Sequence, residues 1–154
     1  MHRTVVLLVL SLCLSGCDGG RIRQLEQENQ ELRSKLGAAT LDLQAKCSSA
    51  AKEFVAREWP ANSEPTVHVD HARNHYNTAR NKCFVLVDTI VISNNIPIVS
   101  MVHIRDVFEN AQVGILREVW DSNGNRKLTD CSVDRIPCKD ATAFSTAAQQ
   151  FMAE

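Results

Sequence analysis

Apolar side chains between Ile22 and Leu43 recur at alternating intervals of three and four residues, and this spacing constrains the fold more than any other feature. The positions are Ile22, Leu25, Leu32, Leu36, Ala39 and Leu43. A 3.5-residue repeat of this kind, over about three heptads, is typical of a coiled-coil helix with its apolar residues at the a and d positions. We therefore expect a coiled-coil stalk over residues 22–46.

Asn29 occupies the one polar a position in this repeat. A single asparagine at a favours a parallel two-stranded register, because the two amides pair only when the helices are aligned. In the same register Glu28 falls at g and Arg33 at the following e, so a parallel homodimer sets opposite charges against each other. The expected interface of this homodimer consists of Ile22, Leu25, Asn29, Leu32, Leu36 and Leu43.

Two alternatives to the homodimer stay open. Three heptads alone are marginal in water, and Gly37 weakens the helix by up to about 1 kcal/mol relative to alanine. The same pattern also suits a helix that binds a helix of another protein, or an amphipathic helix that packs against its own domain.

In each case helical spacing continues until Trp59-Pro60, where proline disfavours helix in the preceding residue. The helix should end near Glu58, and residues 60–65 are expected to form a linker.

The rest of the chain predicts a small α+β domain over residues 47–154. The β-branched run 82–93 is too apolar on both faces for an edge strand and predicts a central one. Further strands are expected over 96–104, 113–120 and 127–133, with turns at Asn94-Asn95 and Asn123-Gly124. Asp140 is a good cap for a C-terminal helix. The prediction is a long N-terminal helix, an antiparallel sheet of about four strands, and a C-terminal helix.

The chain begins with three parts typical of a secretory signal: basic Met1-His2-Arg3, apolar 4–14, and a short segment of small residues. That segment, Leu14-Ser15-Gly16-Cys17, resembles the lipobox of bacterial lipoproteins. The resemblance implies that residues 1–16 are a removed signal peptide and that Cys17 carries the acyl chains, palmitate among them. Residues 17–21 would then be the lipidated anchor and a short linker.

This resemblance also predicts where the protein resides. Several acyl chains on Cys17 anchor a protein effectively permanently to a bilayer. Asp18, directly after the cysteine, resembles the signal that retains enterobacterial lipoproteins in the inner membrane. We therefore expect a lipid anchor on the periplasmic side of the inner membrane, with the outer membrane as the alternative.

Cysteine usage suits an oxidising compartment. After Cys13 leaves with the signal and Cys17 is acylated, an even set of four remains. Of the three possible connectivities we favour Cys47–Cys83 and Cys131–Cys138. The chain also resembles small exported bacterial proteins in the spacing of three features: His75-Tyr76-Asn77, Lys82-Cys83-Phe84 and the late cysteine pair. This resemblance does not indicate any particular activity.

Charge and motifs argue for a binding module without catalysis or cofactor. With 17 Lys+Arg against 18 Asp+Glu the net charge is −1, and the sequence has no basic cluster of the kind that binds nucleic acid. G-x-S-x-G, S-x-x-K, phosphate-loop and dinucleotide-binding patterns are absent from it. The leading hypothesis is a periplasmic envelope assembly subunit, or an inhibitor or immunity-type protein, that binds another protein.

The alternative function is a periplasmic metal-binding protein or metallohydrolase. Its candidate ligands are His68, Asp70, His71 and His75. If this segment is helical, the histidines at 71 and 75 share one face and could bind zinc or copper. The H-E-x-x-H glutamate is missing, and asparagines around the cluster are typical of loops.

Overall fold

A computed structural model describes residues 18–60 and 66–153 of the protein. In chain order its elements are helix α1 (Asp18–Glu58), strands β1 (Thr66–Asn77), β2 (Lys82–Ser93), β3 (Ile96–Asp106), β4 (Ala111–Trp120), β5 (Arg126–Val133) and β6 (Ile136–Pro137), and helix α2 (Ala141–Met152). The long helix ends at Glu58, directly before Trp59-Pro60, as the sequence predicted. Among the described helices, none is long and apolar enough to cross a membrane.

The described residues divide into two units, with the boundary between Leu41 and Asp42. The first contains the part of α1 that carries the heptad repeat from Ile22 to Ala39. The second contains the last part of α1, the whole sheet and α2.

The sheet has six strands, so the expectation of about four was wrong, although the α+β class is confirmed. All neighbours are antiparallel and follow chain order from β1 to β6. The four predicted strands are β2 to β5, and β2 lies between two neighbours as its apolar run indicated. The missed strands, β1 and β6, form the two edges.

Strand β2 is buried on both faces, which explains why its sequence does not alternate between apolar and polar residues. Its Phe84 packs edge-on against Phe151 of α2, with the ring centroids 5.1 Å apart. The next residue, Val85, lies on the opposite face and packs with Ala51 and Phe54 of α1. Each helix therefore covers one face of the sheet.

Residues with positive φ occur in the turns between strands. Asn94 and Asn95 have φ of 52° and 63°, which gives the tight two-residue hairpin that the sequence predicted between β2 and β3. Between β4 and β5, only Gly124 of the Asn-Gly pair has positive φ. There the Asp121 Oδ1 accepts the backbone N–H groups of Asn123 and Asn125 at 2.8 and 2.9 Å, so the loop is longer than a two-residue turn.

Helix α2 is fixed at both ends. At its start the Asp140 Oδ1 accepts the Ala143 N–H at 2.7 Å, as expected of an N-cap. At its end the buried Asn77 donates from Nδ2 to the carbonyl oxygens of Gln150 and Ala153 at 3.1 and 3.2 Å. The last residue of β1 therefore holds the C-terminus of α2 against the sheet.

Two disulfides join the elements, in agreement with the expected number. Cys47 of α1 is bonded to Cys83 of β2, and both side chains are fully buried. Cys131 of β5 is bonded to Cys138, which follows β6. The first bond fixes α1 to one face of the sheet, and the second closes the loop around β6.

Candidate functional site

The proposed metal ligands lie on strand β1, so the helical geometry considered for them was wrong. Four residues along a strand span roughly 13 Å, so the histidines at 71 and 75 are too far apart to ligate one ion. A bulge at Asp70 places His71 beside this carboxylate, with Nε2 and Oδ2 3.7 Å apart. Within the described residues no group of three or more His, Cys, Asp or Glu side chains is arranged to hold a metal ion.

A cavity lies between the sheet and α2, and we call it the helix cavity. Its volume is about 440 Å³. Its apolar walls are Leu86, Val102 and Leu116 of the sheet and Phe144, Ala148 and Met152 of α2. Polar groups from Arg73, Asp88, Ser145 and Gln149 also line it. An apolar chamber with a few polar groups suits a side chain that has an apolar stem and a polar end.

Asp88 is the most informative polar residue of this face. It is the one acidic residue inside the apolar run of β2, and it also lines a second cavity with Glu118 and Arg126. Burial raises the pKa of the Asp88 carboxyl, while Arg73 and His71 act in the opposite direction. A partly buried carboxylate beside open space favours contact with a cationic group.

The opposite face carries a histidine beside Trp59, the residue that follows α1. The ring of His103 lies 5.5 Å from the ring of Trp59, and its cross-strand neighbours are Val87 and Ile115. Burial, with a smaller contribution from the nearby Arg105 charge, lowers the pKa of His103. This histidine is therefore a half-buried structural residue that responds to pH.

We expect His103→Gln to reduce the loss of stability that occurs when the pH becomes acidic. Since burial lowers the pKa of His103 in the folded protein, the unfolded chain binds this proton more tightly and is favoured as pH falls below the ordinary value of 6.5. The free energy of unfolding, measured with urea at pH 7.5 and 5.0, should fall more in the wild type than in His103→Gln. His68→Gln, at an exposed position, is the matched control, and equal falls in wild type and His103→Gln would contradict the assignment.

Helix α1 exposes a row of large apolar side chains, which we call the apolar row. Its members are Ile22, Leu25, Leu32 and Leu36, with 53%, 52%, 63% and 69% of their surface exposed. Asn29 lies within the row and donates from Nδ2 to the Leu25 carbonyl at 3.2 Å. Leu43, the last residue of the expected interface, instead packs against the Cys47–Cys83 cluster.

The apolar row and the helix cavity are thus two features able to bind another molecule. Cys17 lies outside the described residues. No protein-family model, no curated protein and no solved structure matches the chain.

Proposed function

We propose that this chain is a lipid-anchored protein of the bacterial cell envelope that acts as a non-catalytic protein-binding module. The observation that carries the proposal is the apolar row on α1. Exposed leucines and isoleucines that follow one stripe of a helix mark a surface that binds another protein, since leaving them in water costs about 1.5–3 kcal/mol per side chain. A second copy of this chain is the occupant that the sequence favours.

Charges beside the row support a parallel homodimer. In a parallel register, each g residue faces the e residue of the next heptad on the other helix. This pairs Arg21 with Glu26 and Glu28 with Arg33, and both pairs are attractive. Asn29 keeps its Oδ1 and a second amide hydrogen for the facing asparagine after its bond to the backbone.

The anchor is proposed from the sequence. Leu14-Ser15-Gly16-Cys17 resembles a lipobox, and Asp18 favours retention on the periplasmic side of the inner membrane over the outer membrane. The two disulfides between described residues suit an oxidising compartment of this kind. Confinement to a membrane raises the effective concentration of the helices and so favours the dimer.

The domain from Asp42 onward is the proposed binding site for a second protein. Its sheet is covered by a helix on each face and is joined by two disulfides, so its surface is preorganised. Preorganisation lowers the entropy lost on binding. Such a surface suits an envelope assembly subunit or an inhibitor or immunity-type protein, because both recognise a partner without transforming it.

The anchor is tested with Cys17→Ser. Without this thiol no acyl chain can be attached, so the protein should move from the membrane fraction to the soluble periplasmic fraction and lose incorporation of labelled palmitate. Cys13→Ser, which removes a cysteine inside the expected signal peptide, should behave as the wild type. Retention of Cys17→Ser in the membrane fraction, together with the label, would contradict the lipid anchor.

A further inference from the structure

Strand β1 is a long sheet edge, because among the described residues it pairs with β2 alone. An unpaired strand edge offers backbone N–H and C=O groups to another strand. The short strand β6 at the other edge has only two residues and offers much less. The β1 edge is therefore the better candidate for recognition of an extended chain.

One side-chain contact shows which residues of β1 point outward. The Tyr76 backbone N–H donates to Gln44 Oε1 of α1 at 3.2 Å, so it points away from β2. Backbone direction repeats every second residue along a strand, so Asn74 and Ala72 point the same way. Gln44 thus closes the edge at Tyr76, while the outward groups of Ala72 and Asn74 have no bonded partner among the described residues.

Two pockets flank this open part of the edge, one on each face of the sheet. The apolar edge pocket, of about 300 Å³, lies between β1 and α1 and includes Ala51, Val55, Ala72 and Val85. The charged edge pocket, of about 330 Å³, is lined by His71, Ala72, Arg73 and Asp88 on the other face. Successive side chains of a strand added beside Ala72 would point into these two pockets in turn.

The charged edge pocket favours a basic side chain. Among the ion pairs of the described residues none includes Asp88, and Asp70 lies close enough to disfavour its charged form. Arg73 offsets part of this negative charge. A lysine or arginine supplied from outside would give the partly buried Asp88 carboxylate the charge-assisted hydrogen bond that it lacks.

We infer that the β1 edge at Ala72–Asn74 binds an extended segment of a partner protein as a further strand of the sheet. An apolar side chain of that segment enters the apolar edge pocket, and the neighbouring basic side chain contacts Asp88. The inference rests on the proposed protein-binding function and names the surface and the chemistry of its partner.

The test uses the full-length acylated protein in an uncharged detergent and a fluorescent peptide of alternating valine and lysine. Binding is followed by fluorescence anisotropy. One control peptide has glutamine in place of lysine, and a second carries N-methyl groups on alternate backbone amides, which blocks strand pairing. We expect the lysine peptide to bind, the glutamine peptide to bind with about tenfold lower affinity, and the N-methylated peptide not to bind. The tenfold difference in affinity corresponds to about 1.4 kcal/mol.

Two variants locate the site. Ala72→Pro removes an N–H that points outward and so spares the bonds between β1 and β2, and it should abolish binding with little change in the melting temperature. Asp88→Asn should bind the lysine and glutamine peptides equally well. Because Asp88 is partly buried beside Arg73, circular dichroism of both variants checks that the sheet is intact.

The N-methylated peptide keeps the inference testable even if Ala72→Pro fails to fold. Equal binding of the N-methylated and parent peptides, or no binding of the parent peptide, would overturn pairing at this edge. An unchanged preference for lysine in Asp88→Asn would overturn the assigned charge contact. None of these results bears on self-association or on the anchor, so the proposed function is tested separately.

Discussion

The unacylated protein beginning at Asp18 should sediment as a dimer, and Leu32→Glu/Leu36→Glu should reduce it to a monomer at the same concentration. The double substitution removes four buried leucines from the dimer, at about 1.5–3 kcal/mol each, and sets like charges against each other. Both leucines are more than half exposed in the single chain, so the fold of the domain should not depend on them. Sedimentation equilibrium measures the mass directly.

Leu41→Glu is the matched control for this experiment. Leu41 is 72% exposed on the same helix but lies outside the heptad seam, so its substitution should leave the dimer intact. Asn29→Leu should keep the association and loosen its specificity, giving species of more than one mass. A monomeric wild type, or a dimer that survives Leu32→Glu/Leu36→Glu, would contradict the proposed interface.

Removal of the disulfide between α1 and β2, by Cys47→Ala/Cys83→Ala, should lower the free energy of unfolding by about 4 kcal/mol. The bonded residues are 36 positions apart, so the bond restricts a long loop of the unfolded chain. Cys131→Ala/Cys138→Ala opens a loop with a separation of 7 and should cost about 2.5 kcal/mol. Urea unfolding of both variants at one pH gives the two values.

The order of the two losses in the free energy of unfolding is a sharper test than their absolute values. Loop length predicts the larger loss for the pair at 47 and 83, and the full burial of both sulfurs acts in the same direction. Peptide mapping without reduction should recover the same two cysteine pairs from the purified protein. Free thiols at these positions, or a larger loss for the pair at 131 and 138, would contradict this account of the domain's stability.

Strong local signals made the inner strands and α2 predictable. The β-branched run of β2, the Asn94-Asn95 turn and the Asp140 cap each determine local backbone geometry without help from distant residues. Strand β1 was missed because it is polar and because a bulge at Asp70 interrupts its alternation. Strand β6 has two residues and carries almost no periodic signal.

The site residues were harder to predict than the fold, because contacts across strands are not visible in sequence spacing. His71 and Asp88 are 17 positions apart in the numbering and become direct neighbours only through the β1–β2 register. One signal was available: Asp88 interrupts an otherwise apolar strand, and a charge at such a position needs a structural or functional partner. His103 gave no signal of this kind, since its ring packs against Trp59, which is distant in the sequence and follows α1.

The most direct test of protein binding is chemical crosslinking of the full-length protein in living bacteria, followed by affinity capture and mass spectrometry. The wild type should yield one stoichiometric partner besides itself. This partner should persist in Leu32→Glu/Leu36→Glu, which loses the self-crosslink, and should disappear in Ala72→Pro. Self-crosslinks alone, lost in the double substitution, would contradict a protein-binding role for the domain.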